Sequence, residues 1–393
     1  MLYNFCYTIK IRTVQTNRDR GCLRSKDRPF SRRKELSFLE LSEYRILDLL
    51  PEPALLLREG APYYANDAAR RLLQELPPAE EGALPEPLAG LARRTEPFLQ
   101  PDLTLETRTW SVQGIPGPDG MLLLLRPETA GLEPQLLGRI SDSLRPPLSS
   151  LLSASTLLTG HVDEGGDVLL STLNQQLFRL MRMAGNLSAA RETLGSEGSF
   201  SPILADLPAL CRKLTEAVND VLCPHRAPVI FSSQRQQLVT MADVDLLSRM
   251  LLNLLSNALK ASPEDAAVAL TLDVRGDQAV LTVRDTGPGL PTDLLAEVFS
   301  PCTRTLRLDA PGQGLGLGLP LARAIALRHG GSLLLECPRT GGTAVTVSLP
   351  IRRERGPFLT DRRLDEPYGD FSRILVELSD ILPPSRFTPQ DVE

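Results

Sequence analysis

The chain has 393 residues, which is enough for two or three domains with cores of their own. Its net charge of -5 and its apolar content of 42% are ordinary, so we expect no nucleic-acid partner. No apolar run approaches the ~18 residues that cross a bilayer, and the six cysteines include no C-x-x-C pair. We therefore expect a cytoplasmic protein with reduced thiols and no membrane span.

The chain begins with a basic extension. Residues 1–34 contain ten lysines and arginines but only two aspartates, with no apolar period. Such a charge run is typical of a solvated tail, and we predict that residues 1–35 are disordered. A contact with a membrane or a nucleic acid is one alternative, and a start codon assigned too early is another.

Residues 36–130 are predicted to form a small α+β sensory domain. Two short β-prone runs flank a Glu-Gly turn, and a short helix follows with Asn66 or Asp67 as its N-cap. Residues 104–115 and 121–126 are β-prone runs around a Gly-Pro-Asp-Gly turn, which predicts a hairpin. This order of elements resembles a PAS domain, and an unrelated α+β module is the alternative.

Residues 131–195 are predicted to form two helices joined by a turn at 160–166, with Asp167 capping the second helix. In each helix, apolar residues recur at spacings of four and three, the pattern of one buried stripe. Because two helices alone cannot bury both stripes, we expect an antiparallel hairpin that dimerises into a four-helix bundle. The stripes are Ile140, Leu144, Pro147, Leu151, Ala154 and Leu158 in the first helix, and Leu173, Leu177, Leu180, Ala184 and Leu187 in the second.

A further predicted helix has a buried apolar stripe and, along another face, a row of polar side chains. The stripe is Leu247, Met250, Leu251, Leu254, Leu255 and Ala258. Asn253, Asn257 and Lys260 are separated by four and three residues, so they follow one another along a helix. An amide oxygen is a hard, neutral ligand suited to Mg²⁺, and a lysine one turn away can meet phosphates as a point charge. Taken alone, the segment favours a helix with a polar surface; only together with the next two segments does it favour a nucleotide site.

Two glycine-containing segments follow this helix. Residues 285–290 have the sequence DTGPGL and come directly after a strand-like run at 280–284; glycines there let the backbone approach a ligand. Residues 312–319 have the sequence GQGLGLGL and precede a helical run, so their N–H groups and the positive helix end would face an anion. Alone, the first segment is compatible with a simple turn. The second is compatible with a dinucleotide-binding turn, although no strand of a βαβ unit precedes it.

In this order, the three segments resemble the ATP-binding domain of sensor histidine kinases and of the wider group that includes DNA gyrase B, Hsp90 and MutL. The resemblance implies an α/β-sandwich domain over residues 199–351 that binds ATP and Mg²⁺. It also implies that Asn257 holds the metal and that Asp285 accepts from the adenine amine. The other cofactor-binding residues that it implies are Asn253, Lys260, Gly287, Gly289, Gly312, Gly314, Gly316 and Gly318.

Residues 141–148 resemble the segment that carries the phosphorylated histidine in such kinases, but the histidine is absent. The resemblance puts Asp142 at the acceptor position and Ser143 at the base position. An ordinary carboxylate is a weak nucleophile that repels the γ-phosphate, and a serine cannot act as an anionic base. We therefore expect Mg-ATP binding without self-phosphorylation by the usual route, and we assign no catalytic residue with certainty.

The predicted fold class is α+β with several domains: a PAS-like sensory domain, an antiparallel two-helix dimerisation hairpin and an α/β-sandwich ATP-binding domain. The resemblance implies a two-component sensor kinase homologue that acts as a homodimer with a response regulator or a partner histidine kinase. The alternative is a non-catalytic, ATP-dependent switch that regulates such a partner, and the sequence leaves open whether the chain is an enzyme. Residues 352–393 form a tail whose short amphipathic helix either docks on the body or meets a partner; its apolar face is Phe371, Ile374, Leu375, Leu378, Ile381 and Leu382.

Overall fold

The computed structural model describes ten stretches of the chain, and the predictions for residues 1–35, Gly312, Gly314, Gly316 and Phe371 lie outside them. The chain divides into two compact units, residues 1–128 and 129–393, and each is described by itself. The described residues are 45–76, 84–105, 108–117, 120–127, 134–158, 164–194, 200–290, 317–338, 340–352 and 373–388.

The first unit contains an antiparallel sheet and short helices. The elements are a 3-10 helix (Arg45–Leu49), β1 (Ala54–Arg58), β2 (Ala61–Ala65), α1 (Asp67–Glu75), α2 (Leu88–Ala92), β3 (Phe98–Leu105), β4 (Arg108–Gly117) and β5 (Gly120–Pro127). The strands are arranged in the order β2-β1-β5-β4-β3.

Most of the predicted elements of this unit are present. Asn66 caps α1, because its side-chain oxygen accepts from the Ala69 N–H at 2.9 Å. The predicted hairpin is formed by β4 and β5. The single run predicted at 104–115 is wrong: it is divided between β3 and β4, which pair antiparallel. β-propensity measures fit to a pleated surface and does not mark where a strand reverses.

Two long helices, α3 (Pro134–Leu158) and α4 (Glu164–Leu194), open the second unit. Ser141 near the start of α3 donates to the carbonyl of Ala184 near the end of α4, at 2.9 Å. Further along, the hydroxyl of Ser155 donates to the side-chain oxygen of Asn174. The two helices are therefore antiparallel, as predicted.

Asp167 does not cap α4. The helix begins earlier, at Glu164, so Asp167 lies near its start, where a carboxylate interacts favourably with the helix dipole. The predicted stripe of α3 is largely exposed in the single chain, with Leu151 52% and Leu158 49% exposed. The side chains that α3 buries lie on a neighbouring face and include Leu152, which is 3% exposed.

The rest of the second unit is a sheet with helices and a short C-terminal helix. The elements are β6 (Ile203–Asp206), α5 (Leu207–Val221), β7 (Val229–Ser233), β8 (Val239–Ala242), α6 (Val244–Ala261), β9 (Val268–Arg275), β10 (Gln278–Arg284), α7 (Gly318–Arg328), β11 (Ser332–Glu336), β12 (Ala344–Pro350), α8 (Arg373–Leu378) and a 3-10 helix (Pro384–Arg386). The sheet has the order β11-β12-β10-β9-β7, and its pairs are antiparallel except for β7 with β9. β6 and β8 form a separate ladder.

Helix α6 is the element that organises this part of the molecule. Asp243 caps it by accepting from the Leu246 N–H at 3.1 Å, as an N-terminal carboxylate should. The predicted apolar stripe of α6 is confirmed, and burial of such a stripe supplies most of a helix's stability. The stripe is Leu247, Met250, Leu251, Leu254, Leu255 and Ala258, all buried. No helix in the described part of the chain is both long enough and apolar enough to span a bilayer.

Candidate functional site

The three polar residues predicted on α6 meet different environments. Asn257 and Lys260 are exposed, whereas Asn253 is fully buried. Within the described residues, neither amide atom of Asn253 has a hydrogen-bond partner. An unpaired buried polar group costs about 1–3 kcal/mol, so a fold that retains one needs a reason. A ligand that supplies the missing hydrogen-bond partners when it binds would be such a reason.

The N-terminus of α7 lies directly against these amides. A Cβ built on Gly318 would lie 3.2 Å from the Asn257 amide nitrogen and 3.3 Å from the Asn253 amide oxygen. The lack of a side chain at Gly318 therefore lets the helix start approach both asparagines. The first N–H groups of a helix have no partner within it and carry the positive end of its dipole. This corner combines amide oxygens with a site suited to an anion.

Asp285 forms the second part of the site, at the end of β10. Its carboxylate is buried and accepts from the N–H groups of Gly287 at 2.9 Å and Thr343 at 3.0 Å. Burial raises the pKa of the Asp285 carboxyl, and the hydrogen bonds from Gly287 and Thr343 oppose that rise. The carboxylate is thus fixed in position by two separate loops.

The glycines around Asp285 allow three backbones to meet. Gly342 has a φ of 84°, and a Cβ built on it would lie 2.2 Å from the Asp285 carbonyl oxygen. A Cβ on Gly287 would lie 2.5 Å from the carbonyl oxygen of Ala261, the last residue of α6. The N–H of Gly342 donates to the Gly287 carbonyl at 2.7 Å. The turn after β10 is thereby held between the end of α6 and the turn before β12.

The described site residues therefore fall into two adjoining groups along α6. Asn253, Asn257 and Gly318 meet at the middle of the helix, while the turn that carries Asp285 and Gly287 packs on its C-terminal end. Gly289 lies in the same turn, and a Cβ built on it would lie 3.1 Å from the Gly342 carbonyl oxygen.

Sequence reasoning missed Thr343 as a member of the site. Its N–H binds the Asp285 carboxylate, and the Asp285 N–H donates to its carbonyl at 2.9 Å. The available signal was the Gly-Gly-Thr turn before the last strand. Because that turn lies 58 positions from Asp285, the spacing alone did not connect the two.

The two positions on α3 that the sequence analysis predicted as acceptor and base, Asp142 and Ser143, lie at an exposed helix surface. The Asp142 carboxylate is 62% exposed and pairs with the Arg191 guanidinium at 3.0 Å. The Ser143 hydroxyl donates to the Ile140 carbonyl of its own helix at 2.8 Å. Among the described residues, neither side chain has a contact that would activate a nucleophile.

His329 has both ring nitrogens engaged within the fold. Nδ1 lies 2.8 Å from the Ile325 carbonyl oxygen, and Nε2 accepts from the Asp243 N–H at 3.1 Å. Burial lowers the pKa of this imidazole, so it is neutral at pH 7. Its hydrogen bonds connect the end of α7 to the start of α6, which is a structural role.

Comparison with known proteins agrees with this geometry. Residues 242–353 match the family model described as "Histidine kinase-, DNA gyrase B-, and HSP90-like ATPase". The matched segment runs from the start of α6 to the end of β12 and contains Asn253, Asn257, Asp285 and Gly318.

Similar chains are sensor kinases by name. The Adaptive-response sensory kinase SasA of Synechococcus sp. (strain JA-2-3B'a(2-13)) is 31% identical over 59% of this chain and 64% of its own length. The Sensor histidine kinase TmoS of Ectopseudomonas mendocina is 26% identical over 58% of this chain and 24% of its own length. Both matches span less than two thirds of the relative. A crystal structure of full-length ShkA in complex with AMPPNP aligns with a TM-score of 0.48, at 23% identity, over 58% of this chain and 48% of that chain.

The family model accounts for the part of the chain in which the two groups of site residues meet. The named relatives extend the similarity beyond that part, over more than half of the chain. Residues 242–353 form an ATPase domain of the histidine kinase, DNA gyrase B and HSP90 type, and the named relatives of the chain are sensor kinases.

Proposed function

We propose that this chain is a two-component sensor kinase homologue that binds Mg-ATP but does not phosphorylate itself on α3. The observation that carries the proposal is the buried amide of Asn253, which has no hydrogen-bond partner among the described residues, beside Asn257 and the glycine start of α7. A buried polar group of this kind is stabilised when a ligand supplies its partners.

The described residues suit each part of the ligand. Asn257 is exposed and its amide oxygen is hard enough to bind Mg²⁺, and Asn253 and Lys260 would contact the phosphates. The N–H groups at the start of α7 face the same anion. The Asp285 carboxylate accepts from the adenine amine while Gly287 and Thr343 hold it in place. Bound Mg²⁺ would neutralise the phosphate charge and orient the phosphates.

The absence of self-phosphorylation rests on α3. Asp142 is a solvated carboxylate in an ion pair, and Ser143 uses its hydroxyl within its own helix. A carboxylate beside the γ-phosphate adds repulsion, and the neighbouring serine supplies no base.

Binding of a fluorescent ATP analogue, with and without Mg²⁺, tests the nucleotide site. We expect Asn257→Ala and Asp285→Ala to weaken binding at least about tenfold, since each removes a charge-assisted or metal contact worth about 1.5–3 kcal/mol. The matched control is Gln236→Ala, which removes an exposed amide outside the site and should leave the affinity unchanged. Wild-type affinity in both site variants would contradict the proposal.

Incubation with γ-labelled ATP tests the acceptor prediction. The chain alone should take up no label, and any label that it acquires on α3 would contradict the proposal. Adding a partner histidine kinase or a response regulator separates two functions. Transfer of label from this chain's ATP site to the partner supports a kinase that acts in trans. A changed partner activity without transfer supports the ATP-dependent switch, which the exposed and unactivated Asp142 favours.

We also propose that α3 and α4 mediate homodimerisation as a four-helix bundle. The exposed stripe of α3 includes Leu151 and Leu158, and an antiparallel hairpin buries such a stripe when it pairs with a second copy. We expect Leu151→Glu to convert a dimer into a monomer in sedimentation velocity. Ser149→Glu, at an exposed position of the same helix, is the control that should leave the dimer intact.

A further inference from the structure

Residues 373–388, here called the C-terminal strap, dock on the second unit. Of the six apolar tail residues predicted to share a face, Leu375, Leu378 and Leu382 are buried, as is Phe387 beyond them. The Phe387 ring contacts Phe178 of α4 edge to face, with the centroids 5.1 Å apart. Of the two possibilities that the sequence left open for the tail, the structure thus shows docking on the body.

Polar side chains of α4 hold the strap by its backbone. The Gln175 amide donates to the Leu382 carbonyl at 2.6 Å and to the Ser379 carbonyl at 3.2 Å. Asn174 donates to the Phe387 carbonyl at 3.0 Å. The carbonyls that follow a helix have no partner within it, and a six-residue helix such as α8 is not stable alone. The strap therefore keeps its conformation because α4 supplies the missing donors.

Two acidic residues of the strap form a compact charge network with α4. Glu377 lies 3.2 Å from Arg182, and Asp380 lies 2.8 Å from Arg182 and 3.3 Å from Arg179. Arg182 is 10% and Glu377 is 6% exposed, so the charges are largely desolvated. Removing one partner of such a network leaves a buried charge without compensation, which makes the docked position specific.

The same strap also contacts the ATPase domain. The Ser256 hydroxyl of α6 donates to the Glu377 carbonyl at 3.1 Å. The ammonium of Lys260, one turn further along α6, lies 3.3 Å from the Asp380 carboxylate. Asp380 thus contacts α4 and, at the same time, the lysine that the nucleotide site needs for phosphate.

We propose that the C-terminal strap competes with the nucleotide phosphates for Lys260. While the strap is docked, Asp380 neutralises Lys260 and adds a negative charge that repels phosphate. When nucleotide draws Lys260 away, the strap loses its ion pair with α6, and its hold on α4 weakens. The coupling is reciprocal: nucleotide weakens docking by the factor by which docking weakens nucleotide binding. This inference rests on the proposed Mg-ATP site.

Nucleotide affinity in full-length variants tests the competition. We expect Asp380→Asn to bind the fluorescent ATP analogue about three- to fivefold more tightly than the wild type, the upper part of the range that one partly exposed ion pair with a lysine supplies. The matched control is Asp245→Asn, which removes a strap ion pair, that with Arg373 at 3.3 Å, without touching Lys260. Its affinity should stay within about twofold of the wild type.

A double-variant cycle shows whether the gain passes through Lys260. In a Lys260→Ala background, which itself binds nucleotide more weakly, Asp380→Asn should improve the affinity less than about twofold. An equal gain in both backgrounds would overturn the competition, because the effect would then not depend on the lysine. An unchanged or weakened affinity of Asp380→Asn in the native background would overturn it as well.

Hydrogen exchange of residues 373–388 measures docking directly, and it can be recorded in the absence and in the presence of nucleotide. We expect protection in the free chain and faster exchange when the ATP analogue saturates the site. Phe387→Ala, which removes the anchor contact with Phe178 and leaves the charges in place, should give fast exchange and a raised affinity. Protection that nucleotide does not change would overturn the competition. If no variant binds nucleotide while the strap stays protected, the Mg-ATP site itself fails, and the coupling fails with it.

Discussion

The resemblance to histidine kinases implies an ATP-binding role for α6 and a phosphoacceptor position on α3. The predicted functional residues on the two helices nevertheless differ in burial and in contacts. On α6, Asn253 is fully buried and unpaired within the described residues, and Gly318 is packed against it. On α3, Asp142 is 62% exposed and Ser143 bonds to its own helix. The first position is constrained by its neighbours on several elements, and the second is an ordinary helix surface.

This difference shows where structure still imposes a requirement on sequence. At Gly318, the two nearest side-chain atoms lie within 3.3 Å of where a Cβ would be. Such a position admits few residues, because interiors are packed without spare volume. An exposed position admits almost any residue at little cost. Four measurements bear on this comparison, and they follow from the largest expected effect to the smallest.

The tightest backbone contact of the site should be the least tolerant of substitution. Gly342→Ala would bring a Cβ to 2.2 Å from the Asp285 carbonyl oxygen at a φ of 84°, so we expect a loss of about 3 kcal/mol and of nucleotide binding. Gly276→Ala is the matched control, since Gly276 has a φ of 61° and no atom of the described residues lies within 4 Å of its built Cβ; it should cost about 1 kcal/mol. Urea unfolding measures both, and equal costs would refute the role of close packing.

Two buried asparagines should respond in opposite directions to the same change. Asn253→Leu replaces an amide that has no partner among the described residues with an apolar group of similar shape, so we expect a gain in stability of about 1–2 kcal/mol together with loss of nucleotide binding. Asn174→Leu removes hydrogen bonds to Ser155 and Phe387 and should lose about 2 kcal/mol. Thermal unfolding and analogue binding measure the pair. Destabilisation by Asn253→Leu would mean that the fold already satisfies that amide.

The neutral state of His329 predicts a dependence of stability on pH. Burial lowers its pKa below the ordinary value of 6.5. The contribution of neutral His329 to the free energy of unfolding is therefore complete above pH 6.5, and it is lost as the pH falls toward the folded-state pKa. Protonation of Nε2 would remove the acceptor for the Asp243 N–H, a change of about 1 kcal/mol.

Melting temperatures between pH 7.5 and pH 5 check this prediction against His329→Gln, which has no imidazole to titrate. The groups that act on His329 include the Asp243 carboxylate, which raises its pKa, and Arg352, which lowers it. The wild type should lose more stability on acidification than the variant does. Parallel curves for the two proteins would show that His329 does not titrate in this range.

The acceptor position should be the most tolerant. Asp142→Ala removes one exposed ion pair with Arg191, so we expect a change in stability below about 0.5 kcal/mol and an unchanged nucleotide affinity. Arg191→Ala, from the other side of the pair, should behave in the same way. A loss above about 1 kcal/mol in either variant would mean that this surface is constrained after all.

The elements that the sequence predicted are those governed by local patterns. The stripe of α6 follows from helical periodicity, and Asp285 lies at the end of β10 because an alternating run precedes it. Two helices joined by a short turn are expected to be antiparallel, as α3 and α4 are, but the face of α3 that packs on α4 includes Ser141, Leu152 and Ser155 and not the predicted stripe.

What the sequence did not reveal depends on contacts between distant segments. Asn253 is buried because α7 begins at Gly318 against it, although its spacing put it in one row with the exposed Asn257. The ion pair of Lys260 with Asp380 joins residues 120 positions apart. No periodic pattern encodes such a contact, because it forms only when the rest of the fold has brought the two segments together.

The hydrogen bonds of Gln175 have a consequence for how the protein is made. Its partners lie 204 and 207 positions later in the chain, so during synthesis α4 leaves the ribosome well before the residues that cover it. A surface of leucines left bare for that interval would invite aggregation. Amide and guanidinium groups, in contrast, remain hydrated before the residues that cover them are synthesised. The polar groups of Gln175, Arg179 and Arg182 thus keep much of this face of α4 hydrated, around the apolar Phe178, until residues 373–388 are synthesised.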